Sequence, residues 1–150
     1  MRGLKISDVM TQNVLTIHPG ATVAEAARRM ENAQIGVLPV CESDRLVGIV
    51  TDRDLVSRAV ASGTDPSHEI VANVMSMPVV TVGENESVQH AVELITSRKI
   101  GKLVVLSPQK RVVGIVTAAD LALQKPKVYD EGPEELPEEA REVAPEKKAA

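Results

Sequence analysis

One ten-residue phrase occurs twice in this chain. LVGIVTDRDL runs from Leu46 to Leu55, and VVGIVTAADL runs from Val112 to Leu121, with seven of ten positions identical. The likeness spreads outward from there. DVMTQNVLTI (Asp8 to Ile17) matches NVMSMPVVTV (Asn73 to Val82) at an offset of 65. TVAEAARRM (Thr22 to Met30) matches SVQHAVELI (Ser87 to Ile95), and IGVLPV (Ile35 to Val40) matches IGKLVV (Ile100 to Val105). The offset becomes 66 after CESDR against LSPQKR, a single residue added in a turn, where a folded duplication tolerates it. Repeat one spans about Ser7 to Ser62 and repeat two about Ala72 to Gln124.

The duplication limits the fold. A repeat of about 55 residues is small for a core of its own, since domains near that size bury only ~60% of their unfolded surface. Two copies closing on each other hide the Val and Ile faces that each alone exposes. Both copies have the same grammar. A short strand (Val14 to Ile17, or Val79 to Val82) precedes a helix with apolar residues at helical spacing. These are Val23, Ala26, Ala27 and Met30 in one copy, and Val88, Ala91, Val92 and Ile95 in the other. Thr22 and Glu25 make a capping box, whereas Ser87 is followed by His90, which loses it. Two Val/Ile-rich strands follow, Val37 to Cys41 with Leu46 to Val50, and Leu103 to Leu106 with Val112 to Val116. A second helix starts after Thr51 or Thr117. The expected fold is α/β: two β-α-β-β-α repeats related by a pseudo-twofold axis, sheets packed together. The expected divisions are 1–66, 67–125 and an acidic, Pro/Glu-rich, flexible tail over 126–150, with a short helix near Glu134 to Val143.

Composition narrows the function. With no Phe, no Trp and one Tyr, the chain lacks the aromatic platforms on which single-stranded nucleic acid stacks. Its net charge of −4 also argues against gripping phosphate backbones. No apolar run approaches a membrane span, so neither nucleic acid nor membrane is an expected partner, and the expected location is the cytoplasm. Cys41 has no second cysteine to pair with and reads as a buried free thiol. His18, His68 and His90 are scattered without metal-ligand spacing, and no P-loop is present, so neither a metal site nor catalytic residues are expected.

Gly-Ile-Val-Thr-x-x-Asp ends both copies, at Gly48 to Asp54 and Gly114 to Asp120. Two readings fit it. The Thr caps the following helix and the Asp answers the capping N–H. The same strand end also offers free N–H groups that suit a phosphate and a carboxylate that suits ribose hydroxyls.

Taken together, these tandem motifs resemble a pair of CBS domains, a Bateman module, over nearly all of Ser7 to Gln124. The resemblance implies a regulatory module that binds adenosyl ligands (AMP, ADP, ATP, S-adenosylmethionine or related dinucleotides) in clefts between the repeats. It implies one cleft with Thr117 and Asp120 beside Met10, Leu15, Ile35 and Gly36. It implies another with Thr51 and Asp54 beside Met75, Val80, Ile100 and Gly101. Arg53 and Lys102 make the Asp54 cleft the expected phosphate site. The resemblance further implies a homodimer that acts in trans on a protein partner, with no cofactor required. The alternative is a scaffold whose clefts are empty.

Overall fold

The computed structural model describes residues 3–129. The expected tail helix near Glu134 to Val143 lies outside them. The chain is mixed α/β with two small sheets, and it divides into two compact units. One unit is Val14–Val79; the other joins the residues before Val14 to those from Val80 onward.

In the first unit, helix α2 (Val23–Ala33) starts at Thr22 with the expected box: Glu25 N donates to Thr22 Oγ1 and Thr22 N to Glu25 Oε1, both at 3.0 Å. Val23, Ala26 and Met30 are buried, while Ala27 is exposed, so the core-facing stripe is narrower than its apolar pattern. The helix ends at Gln34 with φ 57°. Strands β1 (Val37–Glu42) and β2 (Arg45–Thr51) form an antiparallel hairpin with a register shift between Val40 and Cys41. The expected leading strand over Val14 to Ile17 is reduced to one parallel bridge, Ile17 to Val40. Cys41 is only partly buried; its burial, and then the charge of Asp44, push the thiol up.

The helix after Thr51 opens as one α turn, α3 (Asp52–Asp54), and widens into a π-helix over Leu55–Val60. Ala61 N donates to Val56 O at 2.8 Å, a reach of five residues. The unit's core holds Ile17, Val23, Ala26, Met30, Leu38, Val40, Val50, Leu55, Ala59, Val71 and Val74.

The second unit repeats this plan with α1 (Ile6–Val9) added. Strand β3 (Thr81–Gly83) pairs in parallel with β4 (Lys102–Leu106), which pairs antiparallel with β5 (Val112–Thr117). The hairpin carries a register shift at the equivalent place, between Val105 and Leu106. Helix α4 (Val88–Arg98) starts at Ser87, whose hydroxyl accepts from His90 N at 3.1 Å; no box closes. Helix α5 (Ala118–Tyr129) continues past Gln124 and carries the motif's second aspartate. Ile6, Val82, Ala91, Leu103, Val105, Val116 and Leu121 make the core.

The packed units are offset from the sequence repeats. Each is the greater part of one repeat joined to the opening segment of the other. Val88 N donates to Leu4 O at 3.0 Å, and in the first unit Val23 N donates to Glu69 O at 2.8 Å. Thr11 bridges to Ile115, and Ser76 bridges to Ile49. A glycine admits each crossing. A methyl group on Gly48 would lie 2.5 Å from Met75 Sδ, and one on Gly114 would strike Met10 Sδ and lie 2.9 Å from Thr11 O.

Candidate functional site

Both Thr-x-x-Asp motifs sit where a strand ends and a helix begins, and both close the same cap. Thr51 N donates to Asp54 Oδ2 at 2.9 Å and Asp54 N to Thr51 Oγ1 at 3.1 Å. Thr117 N and Asp120 N make the matching pair at 2.9 and 3.1 Å. The capping role read from the motif is therefore present in both copies. A carboxylate has about four acceptor positions, so one capping bond leaves it able to accept more.

What surrounds the two caps differs. Asp54 is 9% exposed and takes a further hydrogen bond on its other oxygen, from Ser76 Oγ at 3.2 Å. Ser76 is held in place: its N donates to Ile49 O at 2.8 Å and its carbonyl accepts from Ile49 N at 3.1 Å. Arg58 fixes the preceding backbone, its Nη1 donating to Met75 O at 2.9 Å and Val74 O at 3.3 Å. Asp120 is partly exposed, and among the described residues no side chain donates to it. Thr11, aligned with Ser76, makes the same paired backbone bonds, to Ile115, but its hydroxyl does not reach Asp120.

The expected ligand sets divide between the units. Met75 lies with Thr51, Arg53 and Asp54, and so do Leu15, Ile35 and Gly36. Met10, Val80, Ile100, Gly101 and Lys102 lie with Thr117 and Asp120. Ile35 and Met75 pack on the first core; Met10, Val80 and Ile100 pack on the second. Gly36 O accepts from Asp52 N at 2.9 Å, and Gly101 O accepts from Ala118 N at 2.9 Å, so each glycine carbonyl meets the helix start of its own repeat. Lys102 is the cross-strand partner of Thr117, whereas Thr51 faces Val37. Arg53 is exposed. Leu15 is 42% exposed and lines a groove of about 410 Å³ with Glu25, Arg28, Arg29, Asn32 and Ala33.

Reading the sequence for chemistry missed Ser76 and Arg58. The signal for Ser76 was present: the two Val-Met pairs are each followed by a hydroxyl residue, Thr11 or Ser76. Arg58 gave none, because an Arg on a helix reads as solvated. Among the described residues no group of three His, Cys, Asp or Glu is placed to hold a metal, and no helix is long and apolar enough to cross a membrane. His68 pairs with Asp65 at 2.8 Å and His90 with Glu86 at 3.0 Å, both at the surface.

Comparison with known proteins places this architecture. An uncharacterized protein of Methanopyrus kandleri is 36% identical over 127 residues, covering 84% of this chain and 65% of the relative. The solved CBS domain pair of protein MJ0100, in complex with 5-methylthioadenosine and S-adenosyl-L-methionine, superposes with a TM-score of 0.73 at 26% identity. It covers 87% of this chain and 98% of that one. A hexameric CBS-CP12 protein from bloom-forming cyanobacteria superposes with a TM-score of 0.75 at 33% identity, over 99% and 90% of the two chains. The CBS domain family model matches residues 6–61 and again residues 71–124. The chain therefore belongs to the CBS domain family and carries two such domains in tandem.

Proposed function

We propose that this chain is a regulatory ligand-sensing module. It binds an adenosyl nucleotide (AMP, ADP, ATP or S-adenosylmethionine) beside its Thr-x-x-Asp helix starts and acts in trans on a protein partner in the cytoplasm. One observation carries this reading: a partly exposed carboxylate at a helix start, with acceptor capacity left over after its cap is made. Such a carboxylate accepts the two hydroxyls of a ribose. The adenosyl compounds bound by the similar MJ0100 pair support the ligand class. Asp120 would hold the sugar, Thr117 would reach sugar or phosphate, and Met10 would supply apolar wall; Asp54, Thr51 and Met75 are their counterparts. The module works by binding and not by turnover, so a nucleotide incubated with it is recovered unchanged. It assembles as a homodimer; the hexameric neighbour supports assembly in this family.

A second reading has an observation of its own. Both motifs are already engaged as helix caps, so they have a structural role with no ligand at all. On that reading the chain is a scaffold. Thermal unfolding separates the two. A ligand at about 100 times its dissociation constant stabilises the native state by ~2.7 kcal/mol. A raised midpoint with AMP, ATP or S-adenosylmethionine is the expected result; no shift with any of them leaves the scaffold.

A further inference from the structure

We infer that Ser76 closes the first Thr-x-x-Asp motif to ligand, so that the receptive carboxylate of this chain is Asp120. The inference rests on the nucleotide-binding reading above and goes further, to which copy of the motif is used and which residue decides it. It also reverses the expectation from charge alone, which favoured Asp54 because of Arg53 and Lys102.

The argument begins with the carboxylates. Asp54 accepts from Thr51 N on one oxygen and from the Ser76 hydroxyl on the other, and it is nine-tenths buried, so little of its remaining acceptor capacity is open to a ligand. A ribose approaching it must compete with that hydroxyl and find an opening to a nearly covered group. Ser76 is not free to swing its backbone aside. Two hydrogen bonds to Ile49 hold it, and Arg58 grips the two carbonyls before it. The closure is therefore built from three elements: strand β2, the π-helix that carries Arg58, and the segment leading to Met75.

Asp120 has the same cap without the closure. Its second oxygen has no donor among the described residues. Thr11 stands at the position of Ser76 with the same backbone pairing, yet its side chain is exposed and bonds nothing at Asp120. The cross-strand residue beside the cap differs as well. Lys102 and Thr117 are cross-strand partners, so their side chains leave the same face of the sheet. In the first copy Val37 takes the place of Lys102, and the carboxylate of Asp52 lies over Gly36. The residue paired with Thr117 is a lysine; the one paired with Thr51 is a buried valine, with the Asp52 carboxylate and the exposed Arg53 both close by in the chain.

Titration calorimetry with AMP, and separately with S-adenosylmethionine, tests this on the full chain. The native protein binds one molecule per chain. Asp120→Asn weakens that event by at least about tenfold, the scale of a lost hydrogen bond to a charged group. Ser76→Ala binds two molecules per chain, and Ser76→Ala with Asp120→Asn binds one. Ser76→Thr keeps the hydroxyl and the native count. Two comparable sites in the native protein, a single site in Ser76→Ala, or two sites in Ser76→Thr overturns the closure while leaving nucleotide binding intact. No binding of either compound by any variant removes nucleotide binding itself, and the closure with it.

Discussion

The two halves of this chain share a cap and differ in what stands against it. Thr51 and Asp54 are backed by a serine, a clamped segment and a π-helix; Thr117 and Asp120 lead into an α-helix, and among the described residues no side chain donates to Asp120. The helices before the hairpins diverge as well: α2 has a full capping box and α4 has half of one. The two copies share the parts that make each half fold and differ in the surroundings of the carboxylate. That division teaches where to look for function. Identical residues mark the shared scaffold, and the sites separate through residues that differ between the copies, Val37 against Lys102 and Ser76 against Thr11.

The first test of this comparison is whether the cores are equivalent. Leu38 and Leu103 occupy matched positions and are both fully buried. Leu38→Ala and Leu103→Ala are each expected to cost about 2–5 kcal/mol in denaturant unfolding. A large cost from one and almost none from the other would break the equivalence. The carboxylates come next, and here the halves should part. Asp54→Ala strands a backbone N–H and the Ser76 hydroxyl beside a buried site, and is expected to cost about 3 kcal/mol. Asp120→Ala loses a cap at a more open position and should cost about 1 kcal/mol. Equal costs would mean that Ser76 adds nothing to the first half.

The crossing glycines give a smaller contrast. Gly114→Ala must push against the Thr11 carbonyl as well as Met10, and is expected to cost about 2 kcal/mol. Gly48→Ala meets the Met75 side chain first, which can turn, and should cost less than about 1 kcal/mol. The reverse order would show that the two crossings are not alike. The smallest effect belongs to the caps. Glu25→His gives α2 the residue that α4 carries and removes the acceptor for Thr22 N. It should lower the unfolding free energy by no more than about 1 kcal/mol. A midpoint identical to the native one would show that the box contributes nothing measurable.

Much of the fold was legible in the residues. Both hairpins, both principal helices and their starts follow from Val/Ile runs, helical spacing and the Thr22 and Ser87 caps, all local effects. The leading strand of repeat one is shorter than its residues suggest. Val14 to Ile17 has the apolar, β-branched residues of a strand, yet only Ile17 finds a partner, whereas Thr81–Gly83 pairs fully. A strand needs a neighbour in register, and propensity cannot supply one. At the site, Thr and Asp announced themselves by recurring together. Ser76 and Arg58 did not, because their roles come from contacts 22 residues away and 16 to 17 residues away in the chain.

By itself the sequence determined that the chain holds two copies of one unit, where each copy's principal helix and hairpin begin, and that a threonine and an aspartate recur where the last helix of each starts. Those are properties of spacing and of neighbouring residues. Only the tertiary structure decided which segment packs with which repeat, through Met10 over Gly114 and Met75 over Gly48, and which aspartate takes a second hydrogen bond from a described side chain. Hydrogen bonds between distant residues are made by position in space, and two copies of a phrase cannot say which of their surroundings will reach them.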